Sequence, residues 1–113
     1  MQTGDLGILD DVPFLCWAKD KEGKYIWANR LVSEWAGEDV TGKSDRELSW
    51  AESANTLRAA DRQVLETREP VFKHEYVDLP DRGRTTLNVC KWPGELDGVT
   101  CVFGISFVIE QGM

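Results

Sequence analysis

Few residue types in this sequence could carry chemistry, and each restricts what that chemistry is. His74 is the only histidine, so any Ser/His/acid or Cys/His nucleophile would have to use it. It stands in Phe72-Lys-His-Glu-Tyr76, a β-favouring run with polar neighbours, where a histidine that packs its ring or faces solvent is the reading preferred. Three cysteines, Cys16, Cys90 and Cys101, have no CxxC spacing and no nearby histidine, so a zinc site lacks its ligands and no metal centre is expected. They read as small apolar strand residues. Adjacent carboxylates occur at Asp10-Asp11 and Glu38-Asp39, where turn positions leave them solvated. No glycine-rich phosphate loop follows a strand. What remains is binding rather than bond-breaking chemistry: five tryptophans, Trp17, Trp27, Trp35, Trp50 and Trp92, and two lysines, Lys19 and Lys91, inside apolar runs.

The elements that must position these residues are separated by clear turn signals. Phe14-Leu-Cys-Trp-Ala-Lys19 and Tyr25-Ile-Trp-Ala28 flank a loop ending in Gly23 and read as a hairpin. Asn29 caps a short helix that Gly37 stops. A helical turn is expected in 42–48, and Ser49-Trp-Ala-Glu52 fits a capping box that opens a longer helix to about Thr67. Ala54, Leu57, Ala60, Val64 and Leu65 share one face of that helix, and Pro70 ends it. Strands are expected at about 71–79, 84–92 and 99–109, joined by Pro80-Asp-Arg-Gly83 and by a loop over 93–98. Five strands joined mainly by hairpins predict an α+β fold, an antiparallel sheet with the helices on one face.

At 113 residues there is room for one domain, with 42% hydrophobic and 29% charged residues. The net charge of −7 argues against phosphate-backbone binding, so no nucleic-acid partner is expected. No apolar run approaches the roughly 20 residues that span a bilayer, and the N-terminus lacks the basic and apolar regions of a signal peptide. A cytoplasmic protein without membrane insertion is the expectation.

The run from Phe14 to Asn29 resembles the opening of a PAS domain: apolar strand, Asp, turn glycine, second strand, then Asn. Trp35-Ala-Gly37 with Val40-Thr-Gly-Lys43 is similar to the family's next helix and its Val-x-Gly-Lys loop. Asp61 to Pro70 is similar to its long helix and exit, and Lys91-Trp-Pro93, Asp97-Gly98 and Gly104-Ile-Ser106 to its last hairpin and strand. The resemblance covers about residues 12–110, leaving 1–11 as an N-terminal cap segment and 111–113 as a tail. It implies sheet order 2-1-5-4-3, and a sensory or interaction module that is not itself catalytic. Such a module binds a small ligand or partner and signals to an attached or associated effector such as a histidine kinase. One departure stands out. Where the family often ends in Asp-Ile-Thr, this chain has Val108-Ile-Glu110 and stops at Met113, which suits either a fragment of a longer sensor or a free-standing module.

Two other readings stand beside it: a structural homodimerisation module with a filled core, and, third, a small pocket isomerase. Haem is disfavoured because no histidine falls on a helix, and flavin-adduct photochemistry because no Asn-Cys-Arg motif occurs. Trp17 and Trp27 could stack on a noncovalently bound flavin, although plain core aromatics is the preferred reading.

Strand alternation and the family alignment together nominate a pocket of Trp17, Lys19, Trp27, Val89, Lys91 and Ser106, between sheet and helices. Two lysines at one cavity would favour an anionic ligand; the preferred alternative is that both heads reach water at strand ends. The opposite face of the last strand carries Phe103, Ile105 and Phe107, with Cys90 and Trp92 beside them. That row needs a cover: the segment Leu6-Gly-Ile-Leu9, a second protomer, or both. A homodimer built on it is the expected assembly.

Overall fold

The computed structural model describes residues 1–79 and 83–111. Its five strands are β1 (Leu15–Asp20), β2 (Tyr25–Ala28), β3 (Val71–Leu79), β4 (Gly83–Leu96) and β5 (Val99–Gln111). They form one antiparallel sheet in the order β2-β1-β5-β4-β3, as the sequence predicts. Helices α1 (Arg30–Ala36) and α2 (Ala54–Thr67) lie on one face of it. A 3₁₀ segment, Thr3–Leu9, packs through Leu6 and Leu9 on a second apolar cluster that contains Ala18, Cys101 and Phe103.

Local chemistry accounts for most of the boundaries. The Asp20 carboxylate accepts from the Glu22 and Lys24 N–H groups at 3.0 and 2.9 Å and closes the β1–β2 turn. Asn29 caps α1 by accepting from the Val32 N–H at 3.4 Å. Being fully buried, it also donates to the Leu9 and Phe14 carbonyls at 3.0 and 2.9 Å, which fastens the N-terminal segment to the domain.

Two expectations are corrected. The capping box sits at Ser44–Glu47, where the Glu47 carboxylate accepts from the Ser44 N–H at 3.1 Å. The Ser49 hydroxyl instead donates to the Trp35 carbonyl at 3.4 Å, because a 3₁₀ turn at Ala51–Ser53 delivers the chain into α2 already wound. The segment 93–98 is not a loop: β4 runs to Leu96, and Asp97 and Gly98 alone make the turn, with φ of 51° and 80°. Pro93 is tolerated in that strand because β3 pairs with β4 only as far as Lys91, so beyond it one side of β4 is an edge. The expected turn at Pro80-Asp-Arg-Gly83 lies, apart from Gly83, outside the described residues.

Bulges set the facing of side chains near both ends of the sheet. Lys19 pairs with Tyr25 and Ala18 with Trp27, leaving Ile26 as an extra residue on β2. On β5, Leu87 pairs with Val108 and Thr86 with Glu110, leaving Ile109 extra.

Candidate ligand pocket

The space between the inner sheet face and the helices is a cavity of about 50 Å³, with walls that include Leu15, Val32, Trp35, Leu57, Val77 and Leu87. Four of the six sequence-nominated residues line it: Trp17, Lys19, Lys91 and Ser106. Val89 is buried in the same core cluster without reaching the cavity. Trp27 is on the other face, packed toward the cluster of Leu6 and Phe103, because the Ile26 bulge shifts the β2 alternation. Trp17 and Trp27 therefore cannot sandwich one flavin ring.

The two lysines do not reach water. Each is 1% exposed, and carboxylates from three other elements meet them. Lys19 Nζ lies 2.6 Å from Asp45 Oδ2 and 3.0 Å from Asp61 Oδ2. Lys91 Nζ lies 3.2 Å from Asp61 Oδ1 and 3.0 Å from Glu75 Oε2, and donates to the Leu57 carbonyl at 3.2 Å. Asp61 thus bridges β1 and β4 from α2. Tyr25 Oη and Trp50 Nε1 donate to Asp45 Oδ1 at 2.7 and 2.8 Å. Burial works against the Lys19 charge, but Tyr25, Asp61 and Asp45 outweigh it and hold that ammonium above its ordinary pKa. Burial also pushes Asp45 up, yet Lys19 and the Trp50 and Tyr25 hydrogen bonds bring it below the usual carboxylate range. Burial raises Tyr25 well above an ordinary phenol.

The acidic half of this network escaped the sequence reading. Asp61 had a signal, since it falls between Leu57 and Val64 on the apolar arc of α2. Glu75 is in phase with Val77 and Leu79, which are buried. Asp45 lies in a 3₁₀ turn without periodicity to betray it.

Two buried polar atoms of cavity-lining residues have neither a hydrogen-bond nor an ion-pair partner: Trp17 Nε1 and Ser106 Oγ. Donors and acceptors in such positions are rarely left empty.

On the outer face, the N-terminal segment covers part of the nominated interface row. Phe103 is buried beneath Leu6, and Trp92 stacks on it with ring centroids 5.7 Å apart. Ile105 and Cys90 are half-buried, and Phe107 is exposed against Phe14. Phe72, opposite Cys90 on β3, is 76% exposed.

This architecture defines a small sensory domain, and comparison with known proteins names its family. The family model described as the PAS fold matches residues 9–104, and the chain belongs to that family. It is 30% identical over 71 residues to a diguanylate cyclase of Vibrio cholerae serotype O1, a match covering 60% of this chain and 22% of the cyclase. Among solved structures it is similar to the Vibrio cholerae VqmA–ligand–DNA complex, with TM-score 0.81 and 20% identity over 96% of this chain and 51% of that one. It is also similar to the PAS domain of an HTR-like protein from Haloarcula marismortui, with TM-score 0.71 and 18% identity over 95% of this chain and 90% of that one. Membership of this family makes the module a sensory one.

One partner expectation is withdrawn. The acidic charge was read as excluding nucleic acid, yet a protein carrying this fold is found in complex with ligand and DNA. Net charge describes the surface of this module alone, and this chain covers 51% of that protein. No helix among the described residues is long and apolar enough to cross a membrane.

Proposed function

We propose that this PAS domain senses a small ligand held between the inner sheet face and α1 and α2, and passes its occupancy to an effector in the protein that carries it. The observation that carries this reading is the cavity with two unpartnered polar atoms, Trp17 Nε1 and Ser106 Oγ, in an otherwise close-packed core. A ligand that binds better to one arrangement of sheet and flanking segments shifts the population toward it. The chain spans about a fifth of the cyclase and about half of VqmA, and an attached or associated effector would supply the output. A histidine kinase of a two-component system, a cyclase or a DNA-binding region would each suit it. Three free thiols suit the reducing cytoplasm. The apolar patch of Phe72, Cys90, Ile105 and Phe107 supports a homodimer.

Native mass spectrometry of gently purified protein tests the pocket. We expect a species heavier than the polypeptide by the mass of one small molecule. Ser106→Val should keep the fold within about 1 kcal/mol, since the cavity accepts two methyl-sized groups, and should lose that species. A bare polypeptide mass together with a marked fall in melting temperature for Ser106→Val would instead support the filled-core dimerisation module.

A further inference from the structure

We propose that the ligand of this cavity is a small uncharged molecule of amide type, which offers a hydrogen-bond acceptor to the Trp17 N–H and the Ser106 hydroxyl. This rests on the pocket reading above and assigns its chemistry. The cavity of about 50 Å³ holds roughly four water-sized groups. Its open positions are specific. An indole nitrogen only donates, so whatever satisfies Trp17 must carry an acceptor. A bare organic cation has none.

An anion does carry acceptors, and two lysines on the wall would draw it in if they were free. They are not. Each ammonium already has two carboxylate oxygens at 2.6–3.2 Å, and the cluster holds three carboxylates against two ammoniums. An anion entering there would add charge to a site that is already acidic and poorly solvated. A neutral acceptor is what the charge count leaves. The same molecule gains from a donor: Glu75 lines the cavity, and its Oε2, 3.0 Å from the Lys91 ammonium, keeps a second lone pair that can accept from an N–H. An amide or lactam has both groups in one neutral plane.

Acetamide, acetate and acetamidinium make the test, being planar isosteres that are neutral, anionic and cationic and small enough for the cavity. Each is titrated into the full chain, with the tryptophan indole N–H signals followed by ¹H–¹⁵N NMR and that of Trp17 assigned from Trp17→Phe. Acetamide should move the Trp17 signal saturably, and acetate and acetamidinium at equal concentration should leave it in place. Ser106→Ala should weaken the acetamide effect by about two- to tenfold, the loss of one neutral hydrogen bond. Tighter saturation by acetate or acetamidinium would overturn the neutral-ligand assignment and leave the pocket standing. If none of the three moves the Trp17 signal, the cavity is a water site, and both this inference and the ligand-sensing reading fall.

Discussion

Trp17 on β1 lies against Gly104 on β5, its cross-strand partner, closely enough to occupy the space of a side chain there. A Cβ added to Gly104 would stand 2.8 Å from the indole nitrogen and closer still to Cε2 and Cζ2. The glycine therefore lets the indole lie flat on the sheet and form one wall of the cavity. Gly104→Ala should force the ring to move, at a cost of about 1–3 kcal/mol in urea denaturation. Its tryptophan fluorescence should shift as well. Unchanged stability and emission would show that the ring does not need the bare backbone.

The buried ion network gives a pH signature whose sign is fixed. Asp45 has a lowered folded-state pKa, so its contribution is present above the ordinary carboxylate value near 4 and is lost as pH falls through the folded value. Lys19 has a raised one, so its contribution is present below about pH 10.4 and is lost as pH climbs through the folded value. Wild type should therefore be flat in stability from about pH 4 to about pH 8.5 and weaken below about pH 4; above that window the buried thiols of Cys16 and Cys101, pushed up to about 11, lose their contribution as well. Lys19→Met removes one ammonium and leaves Asp45 and part of Asp61 uncompensated, which should cost about 3–5 kcal/mol at neutral pH. Its carboxylates then prefer to be protonated, so this variant should gain stability as pH drops from 7 toward 4, where wild type stays flat. Urea midpoints across that range decide the matter, and parallel profiles for the two proteins would refute the pairing.

What the sequence announced, and what it concealed, follows from how far each signal reaches. The turn at Asp20–Gly23, the Asn29 cap and the apolar arc of α2 are local, and so the order and identity of the elements were legible, although the run of β4 through Pro93 to Leu96 was read as loop. Lys19, Lys91 and Ser106 were placed inward correctly by strand alternation taken together with the family resemblance. Trp27 was not, because one extra residue at Ile26 turns the alternation over, and no residue type marks that bulge in advance. The lysine environment depends on Asp45, Asp61 and Glu75 converging from separate elements, a relation that exists only once the chain is folded. Charged residues inside apolar runs therefore read as strand ends reaching water, when they were half of a neutralised cluster.

The N-terminal segment is held as a part of the fold. Leu6 is buried on Phe103 and Cys101, Thr3 hydrogen-bonds Asp97 through both its N–H and its hydroxyl, and Asn29 holds the Leu9 carbonyl. Leu6→Ala should cost about 2–5 kcal/mol and raise binding of a hydrophobic dye as the Phe103 surface opens. Ile8 on the same segment is 84% exposed, so Ile8→Ala is the control and should change neither reading. Equal effects from the two would mean that the segment does not cover this face as a specific lid.

What that segment leaves uncovered should hold a second protomer. Phe72, Cys90 and Ile105 stand in register across β3, β4 and β5, with Phe107 beside them. Phe72 is 76% and Phe107 46% exposed. Burying each large side chain contributes about 1.5–3 kcal/mol, against an association cost of about 4–15 kcal/mol. Three such side chains on each protomer would give a dimer that forms and dissociates with concentration. Ile105 is at the centre of the row and only half-buried, so Ile105→Glu places a charge in the interface without emptying the core. Sedimentation should show wild type moving from monomer to dimer as concentration rises, with Ile105→Glu a folded monomer throughout. Phe103→Leu, altered beneath the N-terminal cover, should still dimerise. A wild type that stays monomeric at high concentration would mean that this face serves another partner, and the homodimer would be discarded.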